Sequence, residues 1–117
     1  VGKNTTRDVQ FYKHYYLDFY NDQVAAVRKK LDWTIGLIAT LPQIPVKYFK
    51  HIEGSDGLFE IRVEVGSNIF RVFCFFDKGN LVILLNGFQK KSQKTPSNEI
   101  EMAEKLKKEY YNEKKGK

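Results

Sequence analysis

At 117 residues, 42% hydrophobic and 15% aromatic, the chain can bury a core of its own and is not a disordered segment. Its longest apolar runs are strand-length, which excludes a transmembrane helix, and its single cysteine, Cys74, excludes an internal disulfide. The formal net charge of +6 favours a polyanionic partner: nucleic acid, an anionic membrane or an acidic protein.

One domain is expected over residues 1–117, with 1–7 and 112–117 flexible. Val9 and Phe11, with Lys13 at the margin, read as a short first strand. The aromatic run Phe11, Tyr12, Tyr15, Tyr16, Phe19 and Tyr20 leads into a helix and reads as packing, not as a base-stacking platform. The clearest helix is Val24 to Leu41. Val24, Val27, Leu31, Ile35 and Ile38 share one face, which Trp33, Leu37 and Leu41 widen. Arg28, Lys29 and Lys30 read as its solvated side, with a nucleic-acid role as the lesser option. Pro42 and Pro45 end it. With Leu17 to Asn21 it makes a helical hairpin, expected to lie on the apolar face of a sheet.

Residues 44–53 read as a linker with an apolar pair, Tyr48 and Phe49, accompanied by Lys47, Lys50 and His51. Gly54 to Gly57 is a turn and lacks phosphate-loop spacing. Three antiparallel strands follow, with turns at Gly66-Ser67-Asn68 and Lys78-Gly79-Asn80. With two-residue loops, one face carries Phe59, Ile61, Val63, Val65, Phe70, Val72, Cys74, Phe76, Leu81, Ile83 and Leu85. The other carries Glu60, Arg62, Glu64, Arg71, Phe73, Phe75, Val82, Leu84, Asn86, Phe88 and Lys90. There Phe75, Val82 and Leu84 gather at one end; Arg62, Arg71, Asn86, Phe88 and Lys90 gather at the other. A loop one residue longer would turn a strand over.

Thr95 is expected to cap a last helix with Pro96 in first position. Its stripe, Ile100, Ala103, Leu106 and Tyr110, would lie over Phe75, Val82 and Leu84. Glu101–Lys105 and Glu104–Lys108 support its outer face. Lys114, Lys115 and Lys117 read as a disordered tail.

The chemistry narrows by elimination. One Cys and two distant histidines, His14 and His51, give no metal spacing, and no metal or cofactor is expected. No serine sits in a nucleophile elbow. A cationic cluster remains, and no acidic residue stands between Asp77 and Glu99. Fixed cations stabilise charge at phosphorus without a metal, and in RNA the 2′-hydroxyl is itself a nucleophile. Arg71, with Arg62, can clamp a phosphate. Lys90 and Lys91 can hold flanking phosphates or act with lowered pKa. Glu60 is a candidate base, weighed against a cross-strand ion pair. Phe88 is a candidate for base stacking, weighed against the core. Lys94, Lys50, Lys47 and Asn86 complete the candidate substrate-binding set. The lone core cysteine fits a reducing compartment, so a cytoplasmic protein is expected.

These residues carry a family resemblance. Phe49 to Arg62, with its Gly-Leu-Phe-Glu-Ile-Arg, resembles the signature of RelE/HigB-type toxins of bacterial type II toxin–antitoxin systems, in their phage-derived branch. Ile69 to Phe76 resembles their aromatic-Arg-hydrophobic strand. Asn86 to Pro96 is similar to their Gly-Phe-x-Lys-Lys-x-x-Lys-Thr-Pro block, and Glu99 to Ala103 to the start of their last helix. The resemblance runs from about Val9 to Tyr110. It implies an α+β fold: a helical hairpin on a twisted antiparallel sheet of about four strands, with a C-terminal helix. It implies cleavage of mRNA, usually in the ribosomal A site, leaving a 2′,3′-cyclic phosphate and a 5′-hydroxyl. It also implies a cognate antitoxin, often a helix-turn-helix protein, through which alone the toxin would meet DNA. By motif Arg71 takes the place of the phosphate-binding arginine, Arg62 of a basic strand residue, and Lys90–Lys91 of a basic pair. Two positions depart: Phe88-Gln89-Lys90 stands where several relatives have a His or Tyr acid, and Glu60 where some have lysine. The acid and base stay open. The alternatives are a superfamily toxin that inhibits DNA gyrase without chemistry, and a degenerate antitoxin-binding module.

Overall fold

The computed structural model describes residues 6–116. Most of the polar N-terminal stretch expected to fray, and Lys117, lie outside them. Five strands form one sheet: β1 (Asp8–Phe11), β2 (Phe49–His51), β3 (Leu58–Val65), β4 (Asn68–Phe76) and β5 (Leu81–Lys90). Their order is β1-β5-β4-β3-β2. The helices are α1 (Tyr15–Asn21), α2 (Ala25–Thr40) and α3 (Ser97–Lys115).

The expected α+β class holds, with two additions. The linker contains a strand, because Phe49 to His51 pair antiparallel with Phe59 to Ile61. The sheet is mixed, because β1 runs parallel to β5. Parallel neighbours need a long crossover, and the α1–α2 hairpin with three strands intervenes. Lys13 is not strand; its φ of 54° turns the chain from β1 towards α1.

The β3–β4 register is the expected one. Gly66, at φ 61°, opens a two-residue loop, and Val65 pairs with Asn68. The β4–β5 turn is longer. Phe76 pairs with Val82, and the Asp77 amide donates to the Leu81 carbonyl at 2.8 Å. That turns over the first half of β5: Val82 and Leu84 face α1 and α2, while Ile83 and Leu85 face α3. A bulge then reverses the change. Val72 pairs with Gly87 and Cys74 with Leu84, so β5 spends one more residue than β4. Leu85 packs under α3, and the next residue, Asn86, bonds to α3 as well. Beyond the bulge, Phe88 stands opposite Arg71, on the expected face.

Each sheet face carries a core. On one, Tyr16, Val27, Leu31 and Ile38 pack on Ile61, Val63, Phe70, Val72, Cys74, Val82 and Leu84. On the other, Ala103 and Leu106 cover Leu58, Phe73, Phe75, Ile83 and Leu85. Each large apolar side chain buried this way contributes about 1.5–3 kcal/mol. So α3 rests on Phe75 as expected, but on Ile83 and Leu85 in place of Val82 and Leu84. Gly87 lies against Phe19, whose ring would stand 2.5 Å from a Cβ at that position.

The helix limits also differ. Thr34, not Val24 or Trp33, completes the buried stripe of α2, and Val24 and Trp33 are exposed. Pro96, not Thr95, is the N-cap of α3. The expected tail is helix through Lys115, because Asp77 anchors it: its carboxylate accepts from Tyr110 at 2.6 Å and Lys114 at 2.7 Å. Among the described residues, no helix is long and apolar enough to cross a membrane.

Candidate functional site

Helix α3 covers one end of its sheet face and leaves the other open. The open end carries the charges. Arg62 pairs with Arg71 across β3 and β4, and Lys50 pairs with Glu60 across β2 and β3. Lys90 pairs with Ile69, so it projects from the same face two residues beyond Phe88. Glu60 sits between the arginines: its Oε2 is 3.3 Å from Arg62 Nε and 3.7 Å from Arg71 Nε.

Arg71 is 4% exposed. Its Nη1 donates to the Phe70 carbonyl at 3.0 Å, while its buried Nε has no hydrogen-bond partner. Burial pulls its pKa down; Glu60 works against that, and Arg62 adds to it. The Lys90 amine is also held below the ordinary lysine value, first by desolvation and then by Arg71. Arg62 and Lys50 lower it further, and Glu60 raises it. The field of one group thus reaches the others, as in sites where titratable groups are tuned together.

A cavity of about 310 Å³ opens beside the cluster, lined by Lys30, Lys47, Tyr48, Arg62, Glu64, Gly66 and Arg71. Four cations face one carboxylate there. Arg71 is the most deeply buried of the four. Such a concave, positive site favours a phosphate group. A larger groove, about 850 Å³, runs along α3 and mixes both signs of charge, with Glu101, Glu104, Lys105 and Lys107. It lies outside the cationic cluster.

The structure therefore gathers Arg62, Arg71, Lys90, Glu60 and Lys50, and adds Lys47 through the cavity. Two of the expected substrate-binding residues are packed into the fold. Phe88 is 8% exposed and packs edge to face on Phe73, with centroids 5.2 Å apart, so its ring belongs to the core under α3. Asn86 Nδ2 donates to the Glu99 carbonyl at 3.2 Å and its carboxylate at 3.0 Å. Its amide nitrogen ties β5 to α3. Lys91 and Lys94 stand exposed on the loop after β5. His51 is exposed and lies against Phe59.

Sequence reasoning gave Lys30 a nucleic-acid role only as the lesser option and read Tyr48 as part of an apolar pair, so neither stood among the expected site residues. Lys30 follows the helical stripe by three residues from Val27, which places it at the rim of the buried face. The position of Tyr48 depends on β2: its carbonyl accepts from the Arg62 amide at 2.8 Å. Among the described residues, no three His, Cys, Asp or Glu side chains gather to hold a metal ion.

The chain matches a family model described as phage derived protein Gp49-like, over residues 18–108. Its fold is similar to that of a chain in the crystal structure of the archaeal RelE-RelB complex from Pyrococcus horikoshii OT3. The TM-score is 0.54 and the identity 18%, over 77% of this chain and 99% of that one. The fold is thus RelE-like. No curated protein matches.

Proposed function

The chain belongs to the phage-derived Gp49-like family, and from that premise we propose that it is the toxin of a toxin–antitoxin pair, cleaving mRNA without a metal on the ribosome. The observation that carries this reading is the placement of Arg62, Arg71 and Lys90 around Glu60 at the open end of the sheet. A buried arginine directly opposite another is an unfavourable way to build a sheet, and a phosphate would relieve it.

In this mechanism Arg62 meets the scissile phosphate, and Arg71 sets the positive field beneath it. The protein orients the RNA so that its 2′-oxygen faces phosphorus. The neutral Lys90 amine takes the 2′-hydroxyl proton as the O2′–P bond forms. The P–O5′ bond breaks, and the 5′-oxygen leaves with a proton from water. A 2′,3′-cyclic phosphate and a 5′-hydroxyl result. Glu60, engaged by both arginines, is a positioning residue. Lys50, Lys47, Lys91 and Lys94 hold neighbouring phosphates.

The proposed partner is an antitoxin, of helix-turn-helix type by family resemblance, with an acidic segment over the cationic mouth. The proposed place of action is the cytoplasm.

The test is induction of the wild type and Arg62→Ala side by side, with mapping of mRNA 5′ ends. New 5′-hydroxyl ends within codons for the wild type alone would support the reading. Growth arrest with DNA-damage signalling and intact mRNA would replace it with gyrase inhibition. An unchanged culture would favour a degenerate antitoxin-binding module.

A further inference from the structure

We infer that Trp33 and Tyr48 form a stacking platform for an unpaired nucleobase next to the phosphate cavity. This rests on the ribonuclease reading of that cavity and extends it from the phosphate to the neighbouring base.

Trp33 belongs by sequence to the apolar face of its helix. The structure instead leaves it 49% exposed, outside the buried stripe of Val27, Leu31, Thr34 and Ile38. Its ring meets Tyr48 edge to face, with centroids 5.5 Å apart. Tyr48 lines the cavity that holds Arg62 and Arg71. The aromatic pair therefore adjoins the cationic site.

The pair is also fixed there. The Tyr48 carbonyl accepts from the Arg62 amide, and its own amide donates to Pro45 at 2.9 Å. Arg62 Nη1 reaches the Val46 carbonyl at 3.5 Å, and the Val46 side chain is 62% exposed. The segment that presents Tyr48 is thus bonded to the strand that presents Arg62.

Both rings carry lysines. Lys30 Nζ lies 4.9 Å from the Trp33 centroid, and Lys47 Nζ lies 5.6 Å from that of Tyr48. Both lysines line the cavity as well. Cations beside aromatic rings match a single-stranded nucleic acid, whose phosphates and bases alternate. An incoming phosphate would draw the flexible Lys30 amine from the indole and open the ring to a base. An acidic protein segment could also use the lysines and the rings, but the alternation of cation and ring fits the repeat of phosphate and base in a single strand.

Trp33 is the one tryptophan of the chain, so its fluorescence reports on the platform directly. The probes are a 2′-O-methyl RNA hexamer, which cannot be cleaved, and an abasic strand of equal length. The hexamer should quench Trp33 and bind more tightly than the abasic strand. In anisotropy with labelled strands, Trp33→Ala and Tyr48→Ala should each weaken the hexamer roughly 5- to 150-fold, the range for one lost stack. Binding of the abasic strand should fall far less than that of the hexamer, and thermal unfolding of the same preparations shows that the variants fold. Equal binding of the two strands, with Trp33 unquenched, would overturn the platform. So would a Trp33→Ala variant that loses affinity only for the antitoxin. If mRNA cleavage persists in either case, the ribonuclease reading stands without the platform; if wild-type cleavage is absent, that reading fails first.

Discussion

Arg62 stands directly opposite Arg71 across β3 and β4, and the two share one carboxylate, Glu60 Oε2, at 3.3 Å and 3.7 Å. Like charges facing each other across strands destabilise a sheet, and burying one of them adds a desolvation cost. The neighbours of Arg71 on its own face of β4 are Ile69 and Phe73, so an apolar side chain would continue the pattern.

Arg71→Met should therefore change thermal stability by no more than about 1 kcal/mol, because Glu60 keeps Arg62 as its partner. RNA cleavage should fall roughly 100- to 1,000-fold, the usual effect of losing a group that stabilises transition-state charge. Thermal unfolding and a cleavage assay on the same preparation decide it. Wild-type cleavage by this variant would remove Arg71 from the site.

Glu60→Gln should weaken the fold more. The shape is kept, but two guanidiniums lose their shared carboxylate in a nearly closed place. A loss of about 1–3 kcal/mol is expected by denaturant unfolding. Activity should drop while the pH–rate profile keeps its single rise, moved to lower pH because Glu60 no longer raises the Lys90 pKa. Disappearance of that rise would instead make Glu60 the base.

Lys90 should control the alkaline side. Burial and Arg71 lower its pKa, so the neutral amine forms at a lower pH than for an exposed lysine. Cleavage should rise with pH through that lowered value and then level. Lys90→Arg keeps the positive charge but does not titrate, and should flatten the rise while binding of uncleavable RNA is retained. A variant profile that still rises would assign the proton transfer elsewhere.

Asp77 should link α3 to pH. Desolvation raises its pKa, but hydrogen bonds from Lys114, Tyr110 and Tyr111 outweigh this and leave it below its ordinary 3.8. Burial first, and then this carboxylate, push Tyr110 up to about 12. A carboxylate with a lowered folded pKa contributes stability above its unfolded value and loses it as pH falls through the folded one. The contribution should be complete at neutral pH and fade below about pH 4. Asp77→Asn should remove that acid dependence and weaken the fold by about 1–3 kcal/mol at pH 7. Hydrogen exchange along residues 106–115 would reveal the loosened helix; unchanged protection would refute the anchor.

Local pattern was enough for β3 and β4. Alternation along each strand, joined by Gly66 and Ser67, determined that Glu60, Arg62 and Arg71 share a face. The composition of that face implied charge meeting charge, and the motifs from Phe49 to Pro96 pointed to a RelE-like fold. The rest depended on what touches what. The longer β4–β5 turn exchanged the sides of Leu84 and Leu85, and the bulge restored those of Phe88 and Lys90, so two distant irregularities cancelled. Docking of α3 then divided residues of one face: Phe88 and Asn86 were closed in beneath it, while Arg62 and Lys90 stayed open. Side-chain direction along a strand follows from backbone geometry and can be counted from residue to residue. Strand register and coverage arise from contacts between segments far apart in the chain, and these were decided only when the segments packed.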